Sequence, residues 1–384
     1  MKTIAAIVAG AVSIAAVHCA AAQEVSANDT ARFIAGLPPS ESSPLARLTK
    51  NPKWQAYAQS FNTNWEALEK RQLVHVRGWS EKHLQNRKAP LYYMFSGPDF
   101  LYANAFFPEA STYLMSGLET VGPVPTVSER TIAALPRIQS AIGSSVKLSF
   151  FITSQMGGLA SGDLPGALPI LLVYAVRSGK TIEDITLISL DQEGNIQPPS
   201  NGRNATPGVK ITVRSGDGPP QTIYYFRTDV SNTGVSNSGF LAFAGKLGQG
   251  QAFFKSASYL VHGSGFSMVR DFVLAHAQSI VQDDTGVPFS ALRPDQWQVS
   301  PFGVYRKPIP VFRGHNQPRL AELFSRRNAP PLDFRIGYGR GSSLILASKK
   351  ASVAQSVTET SVGVSRLGPG RARAVEHVTL DTRD

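Results

Sequence analysis

Two adjacent carboxylates, Asp283 and Asp284, are the local feature of the sequence with the clearest capacity for chemistry. They follow Gln282 where the apolar periodicity of a predicted helix ends. A helix C-terminus disfavours negative charge by about 0.3–1 kcal/mol, so an Arg, backbone N–H groups or a cation should compensate. The pair is therefore a candidate acid/base or cation site. The alternative is a turn in which an Asp side chain bonds the N–H groups of Thr285 and Gly286.

His262 is a second catalytic candidate, because a histidine at a helix end can act as a base, a ligand or a cap. If residues 266–281 form one helix, its 16 residues span about 24 Å. His262 and Asp283 would then lie at opposite helix ends, out of contact. Each needs other partners: we expect Arg270 near His262, and Asp99, in a turn after a strand, as a further catalytic candidate.

Basic residues are concentrated in two segments. Residues 46–90 carry nine Lys/Arg against three Glu, a net charge of +6, and residues 300–350 carry ten against two, a net charge of +8. In an exported protein such surfaces attract anionic lipid head groups or polysaccharides in a salt-dependent way. No nucleic-acid-binding module is recognisable, so nucleic acid is not an expected partner. The candidate binding residues are Tyr259, Arg270, Gln282, Arg306, Lys307 and Arg313.

Motifs of established enzyme classes are missing from the sequence. It contains no GxSxG, no HExxH and no P-loop. His75 and His83 are eight residues apart, which separates them by about 80° on a continuous helix and does not favour a shared metal ion. The sequence therefore identifies neither a metal site nor a cofactor.

The N-terminus has the pattern of a secretory signal peptide over residues 1–22. Lys2 precedes an uncharged run of about 14 mostly apolar residues, and Ala20, Ala21 and Ala22 supply small residues for cleavage. The run is shorter than the ~20 residues that cross a bilayer. We expect a soluble periplasmic or secreted protein, which after cleavage has lost its single Cys19 and has no transmembrane segment.

The order of predicted elements favours an α+β fold. The apolar fraction is 42%, which excludes a wholly disordered chain. The spacing predicts a helix from Pro52, strands at 91–95, 170–176 and 185–190, a hairpin of 209–213 with 222–226, and helices at 252–262 and 266–281. Helices around a block of strands indicate an antiparallel or mixed central sheet. An α/β doubly wound sheet is the alternative.

The chain should contain one body over residues 51–341. A loose N-terminal arm is predicted at 23–50 and a mobile tail at 342–384, on their polar, Pro-containing or small-residue composition. Residues 105–117 and 252–263 share the pattern Ala-Phe-Phe, Ala-Ser, Tyr-Leu and Gly. This similarity raises the alternative of two similar halves meeting near 200–222.

Two stretches carry a resemblance to a known family. Residues 257–262 with Gln282-Asp283-Asp284-Thr285-Gly286-Val287-Pro288, and Ser96-Gly97-Pro98-Asp99-Phe100-Leu101-Tyr102, resemble a family of exported bacterial proteins. The resemblance covers roughly residues 50–340 and implies bacterial origin and export. It supplies no reaction, cofactor or catalytic residue.

Three functions remain open on the sequence. The first is non-catalytic binding of an anionic cell-envelope component or a protein partner, based on the basic segments. The second is a hydrolase-type enzyme with its site at the Asp283/Asp284 loop. The third is a purely structural or assembly role.

Overall fold

A computed structural model describes residues 25–148, 163–202, 204–338 and 341–351. It has the α+β fold that the sequence predicts, with helices on both faces of a mixed ten-stranded sheet. Side chains of successive strand residues point to opposite faces of the sheet. Tyr93 accordingly packs into the apolar cluster on one face and Tyr92 into a cluster on the other. No helix in these ranges is long and apolar enough to cross a membrane.

The sheet has the strand order β4-β3-β5-β6-β2-β1-β7-β8-β10-β9. The strands are β1 (Leu91–Tyr93), β2 (Thr112–Gly117), β3 (Lys180–Leu190), β4 (Ile196–Gln197), β5 (Thr206–Ser215), β6 (Gln221–Arg227), β7 (Gly250–Phe254), β8 (Ala277–Gln282), β9 (Trp297–Gly303) and β10 (Ser343–Lys349). The five central strands, β6, β2, β1, β7 and β8, are parallel. The strands on either side are antiparallel. The carboxyl ends of the central strands therefore share one edge of the sheet.

The helices cover the two faces of this sheet. The α-helices are α1 (Ala27–Ile34), α2 (Pro52–Leu68), α3 (Val74–His83), α4 (Phe100–Phe106), α5 (Leu135–Leu148), α6 (Leu168–Arg177), α7 (Asn232–Val235), α8 (Phe240–Lys246), α9 (Ser267–His276) and α10 (Pro318–Arg326). A π-helical turn, Glu69–Leu73, joins α2 to α3. Short 3-10 helices include Leu260–His262 and Pro310–His315.

Local sequence signals correctly predicted two of these elements. Helix α2 begins at Pro52, and the side chain of Asn51 accepts a hydrogen bond from the Lys53 N–H at 2.9 Å. The predicted hairpin is the antiparallel pair β5–β6.

The predicted limits of the body were too narrow. The segment predicted as a loose arm contains α1, in which Phe33 and Ile34 are fully buried, followed by the 3-10 helix Pro44–Lys50. At the other end, Ser343–Lys349 forms β10 inside the sheet, so the polar composition that predicted a tail from 342 was misleading. The predicted signal peptide and the residues after 351 lie outside the described ranges.

The region 250–282 differs most from the sequence-based expectation. Residues 250–254 form β7 rather than the start of a helix, and the second predicted helix ends at His276, where the chain continues into β8. The apolar run at 170–176 was predicted as a strand and lies within helix α6. The two similar Ala-Phe-Phe segments fall at the end of α4 and in β7, so they do not form a structural repeat.

Candidate functional site

Two catalytic candidates predicted from sequence, Asp99 and Asp283, lie at the carboxyl edge of the parallel strands together with Lys255, which was not predicted. Asp99 caps α4 just after β1, Lys255 directly follows β7, and Asp283 directly follows β8. Ligand sites of open parallel sheets lie outside this edge. The two stretches that carry the family resemblance are thus neighbours in space.

A buried ion pair joins β1 to β7. The Nζ atom of Lys255 lies 2.6 Å from Oδ2 of Asp99, and both side chains are 2% exposed. The Tyr93 hydroxyl donates to the same carboxylate oxygen at 2.9 Å, and the Tyr102 N–H donates to the other at 3.3 Å. The Lys255 ammonium also lies 3.7 Å from the centre of the Tyr102 ring. Asp99 therefore stabilises the core through these contacts, and its buried carboxylate is not accessible to a substrate.

Burial opposes both charges of this pair. It raises the pKa of Asp99, while Lys255 acts in the opposite direction. It lowers the pKa of Lys255, against the effect of Asp99. Each group of the pair thus stabilises the charged form of the other against the effect of burial.

Asp283 stabilises the turn that follows β8. It is completely buried, and its Oδ2 accepts the Ser256 N–H at 2.7 Å. Its Oδ1 accepts both the N–H, at 2.9 Å, and the hydroxyl of Thr285. The sequence offered such a turn as the alternative to catalysis, and the Thr285 bond is as expected. The Gly286 N–H donates instead to the backbone carbonyl of Asp283 at 3.4 Å, and the turn follows a strand rather than a helix. Burial and the charge of Asp284 raise the pKa of Asp283 to about 7.

Gln282 holds the same turn. Its side-chain amide donates to the Val287 carbonyl at 2.8 Å and accepts the Val287 N–H at 2.9 Å. The side chain is 1% exposed. Gln282 was predicted as a binding residue, and this prediction is wrong because both its polar atoms are engaged inside the protein.

Asp284, unlike its neighbour, faces a pocket. Its carboxylate accepts the hydroxyl of Tyr259 on Oδ2 and that of Ser343, at 2.9 Å, on Oδ1. The pocket has a volume of about 250 Å³. Its polar lining combines this carboxylate with three tyrosines and two cations, Tyr259, Tyr305, Tyr338, Arg306 and Lys307.

The loop that carries Tyr259 is held in an unusual backbone conformation. Ser256, Ser258 and Tyr259 have φ values of +54°, +53° and +58°, each costing on the order of 1–3 kcal/mol for a non-glycine residue. Tyr338 stabilises the loop: its hydroxyl donates to the Ser256 carbonyl at 2.6 Å and lies 2.8 Å from the Ser258 hydroxyl. Such strain, when held by surrounding contacts, is typical of functional sites.

His262 lies beside Tyr259, so it belongs to the same cluster as Asp284. The rings of His262 and Tyr259 are 5.1 Å apart, and His315 stacks on Tyr259 at 4.8 Å. The expected separation of about 24 Å fails because α9 has 10 residues and the chain then returns as β8. Burial lowers the pKa of His262 to about 4, and His315 adds to this effect, which keeps the imidazole neutral near pH 7.

The predicted basic residues divide into two groups. Arg306 and Lys307 are exposed and line the pocket beside Asp284. Arg313 is exposed in the 3-10 helix Pro310–His315 but is not among the residues that line the pocket. Arg270 donates to the Val261 carbonyl at 3.3 Å and contributes to the electrostatic environment of His262, as expected.

Sequence reasoning missed several residues of the site. Lys255 was hidden inside a predicted helix, whereas its position directly after an apolar strand would have marked it. Tyr305, Tyr338 and Ser343 come from irregular segments or the C-terminal strand, and no spacing pattern connects them to Asp284. The Tyr305 hydroxyl is buried and, in the part of the chain that the structure describes, has no hydrogen-bond partner.

The described residues contain no group of three His, Cys, Asp or Glu side chains that could hold a metal ion. Comparison with protein-family models, curated proteins and solved structures finds no match to this chain. The resemblance to an exported bacterial family therefore stays a prediction from the sequence.

Proposed function

We propose that this protein binds an acidic polysaccharide of the cell envelope in the pocket beside Asp284. The observation that carries the proposal is the lining of that pocket, where Arg306 and Lys307 stand beside a carboxylate and three tyrosines. Guanidinium and ammonium groups bind carboxylates through charge-assisted hydrogen bonds. Tyrosine rings offer an apolar face together with a hydroxyl.

Asp284 favours a sugar over a lipid head group. A bare phosphate would be repelled by this half-buried carboxylate, whereas sugar hydroxyls can donate to it. Each carboxylate oxygen has two acceptor positions, and the Tyr259 and Ser343 hydroxyls occupy one on each. An acidic sugar therefore satisfies both signs of charge in this pocket.

The hydrolase alternative is supported less well. Of the four catalytic candidates, Asp99 and Asp283 are buried and engaged by other groups. Of these four, Asp284 alone lines the pocket. Tyr259 contacts both Asp284, through its hydroxyl, and His262, through its ring. Among these four candidates, Asp284 therefore has no second accessible acid or base with which to share general acid–base catalysis.

Titration calorimetry with trigalacturonate, an oligosaccharide of uronic acids, tests the proposal. Arg306→Gln/Lys307→Gln should weaken binding at least about tenfold, since one hydrogen bond to a charged group contributes about 1.5–3 kcal/mol. The control, Lys50→Gln/Lys53→Gln, removes the same charge from exposed positions of α2 and the preceding 3-10 helix and should change affinity less than threefold.

Two outcomes would refute sugar binding at this pocket. Equal losses in the two double variants would mean that net charge alone controls the interaction. Equal binding of the neutral oligosaccharide maltotriose would mean that the acidic group is not recognised. Vesicles of anionic lipid are the third ligand to be tested. If the protein binds them more tightly than trigalacturonate, and if Arg306→Gln/Lys307→Gln weakens that binding, the ligand of the pocket is a lipid head group and not a polysaccharide.

A further inference from the structure

A second pocket lies at the opposite edge of the sheet, where the parallel strands begin. Its volume is about 240 Å³. One side of the pocket is formed by the end of α6 and the turn that follows it, with Arg177, Ser178 and Gly179. Lys180, the first residue of β3, and its register partner Ser215, at the end of β5, form the adjoining side. Helices α2 and α4 complete it. None of these elements supplies a residue to the Asp284 pocket.

Lys180 is a buried cation with neutral partners. It is 4% exposed, and its ammonium donates to the Pro108 carbonyl at 2.8 Å, the Ser215 hydroxyl at 2.7 Å and the Gln221 side-chain carbonyl at 2.5 Å. The carboxylate that acts on it electrostatically, Glu109, forms its own ion pair with Arg87 at 2.7 Å. Burial lowers the pKa of Lys180 to about 8.

Arg177 is a second, partly buried cation at the same pocket. Its Nε donates to the Ala35 carbonyl at 2.8 Å, one terminal nitrogen donates to the same oxygen, and the other donates to Asn62 at 2.6 Å. The guanidinium also lies over the Phe61 ring at 4.5 Å. These contacts use three of its five N–H groups. The other two N–H groups have no acceptor among the described residues. Burial lowers the pKa of the guanidinium to about 10.

The charges around this pocket do not balance within the described residues. Arg177 and Lys180 form no ion pair there, and the other two charged lining residues, Glu69 and Arg77, pair with each other. The C-terminus of α6 offers only about half a negative charge. A buried charge without a counter-ion costs several kcal/mol. The pocket thus has an excess of about two positive charges in a region of restricted solvent access.

We propose that this pocket binds a small dianionic oxyanion, such as a phosphate group, free or as the phosphomonoester of a small molecule. The guanidinium of Arg177, in which two N–H groups have no acceptor among the described residues, would supply directional donors. Lys180, whose own hydrogen bonds are satisfied, supplies positive potential. The site is independent of the proposed polysaccharide pocket, because the two lie at opposite edges of the sheet.

Thermal unfolding and titration calorimetry with inorganic phosphate and with glycerol 3-phosphate, at constant ionic strength set with chloride, test this inference. Since Arg177 and Lys180 also connect backbone segments, the substitution is made at Ser178, a half-exposed residue of the pocket. Ser178→Glu places a carboxylate where the anion would bind. It should raise the melting temperature without ligand and weaken phosphate binding at least tenfold. The isosteric Ser178→Gln, which fills the same space without the charge, should weaken binding less and should not raise the melting temperature.

The contrary result is easily recognised. Phosphate stabilises many proteins non-specifically by exclusion from their surface, which gives a melting-temperature increase that does not saturate and is equal in all variants. That pattern would overturn the inference, as would unchanged binding in Ser178→Glu. Arg306→Gln/Lys307→Gln should retain phosphate binding at this site, so failure of the polysaccharide proposal is distinguishable from failure of this one.

Discussion

The buried pair Lys255–Asp99 makes a strong prediction about stability. Replacing Lys255 by Met removes the cation and leaves the Asp99 carboxylate in the core with only the Tyr93 hydroxyl and Tyr102 N–H as donors. Breaking one partner of a buried pair costs about 3–5 kcal/mol. This is a large part of the 5–15 kcal/mol that stabilises a typical protein. We expect Asp99→Asn to destabilise the protein by a similar amount, because Lys255 loses the carboxylate with which it forms its ion pair, although the Asp283 carboxylate still acts on its charge.

The double variant Lys255→Met/Asp99→Asn separates pairing from general damage. It removes both charges, so its free energy of unfolding should exceed the value expected from adding the single losses by about 2–3 kcal/mol. Urea denaturation followed by circular dichroism measures all four proteins. Additivity within about 0.5 kcal/mol would refute the argument that the two charges are retained by each other.

The pH dependence of the stability of the Lys255→Met protein is a second test of the interaction between Lys255 and Asp99. Without Lys255, only the hydrogen bonds from Tyr93 and Tyr102 oppose the effect of burial on Asp99, so its folded pKa is raised further above that of the unfolded chain. A carboxyl group with a raised folded pKa favours folding at low pH and loses this contribution as pH rises. The cost of the substitution should therefore be smaller at pH 5 than at pH 8. A cost that is equal at both pH values would contradict the assignment.

Two further variants test the neighbouring turn and the histidine cluster. Gly337 has φ +78°, and a Cβ there would meet Asp283 Oδ2 at 2.7 Å, so Gly337→Ala should lower the free energy of unfolding by about 1–3 kcal/mol in urea denaturation. Gly314→Ala, where a Cβ has no neighbour within 4 Å among the described atoms, should cost less than about 0.5 kcal/mol, and equal costs would argue against this contact. His262 has a folded pKa of about 4 against an ordinary 6.5, so the unfolded chain binds its proton first as pH falls. The parent protein should lose on the order of 1 kcal/mol from this group between pH 6.5 and pH 4.5, whereas His262→Phe should lose less over that range, and parallel pH profiles would show that His262 does not titrate in this way.

Elements with strong local signals could be predicted from the sequence. The Asn51 cap with Pro52 fixed the start of α2, and the alternating strands on either side of a polar turn predicted the pair β5–β6. Both depend on contacts between residues close in the chain. They required no knowledge of the remaining fold.

Elements buried on all sides could not be distinguished in this way. The run at 170–176 and the segment at 250–254 are both buried along their whole length, yet one is a helix and the other a strand. Short apolar runs carry no usable periodicity. The error at 250–254 hid Lys255. The predicted single helix at 266–281 separated His262 from the Asp283/Asp284 loop, although His262 and Asp284 both contact Tyr259. The site is formed by long-range strand pairing, which spacing along one sequence does not reveal.

A crystal structure of the protein with bound trigalacturonate tests the central claim most directly. The oligosaccharide should lie in the pocket beside Asp284, with a uronate carboxylate within hydrogen-bond distance of Arg306 or Lys307 and sugar hydroxyls donating to the Asp284 carboxylate. Oligosaccharide bound only along the other basic segment, residues 46–90, with the Asp284 pocket empty, would contradict it.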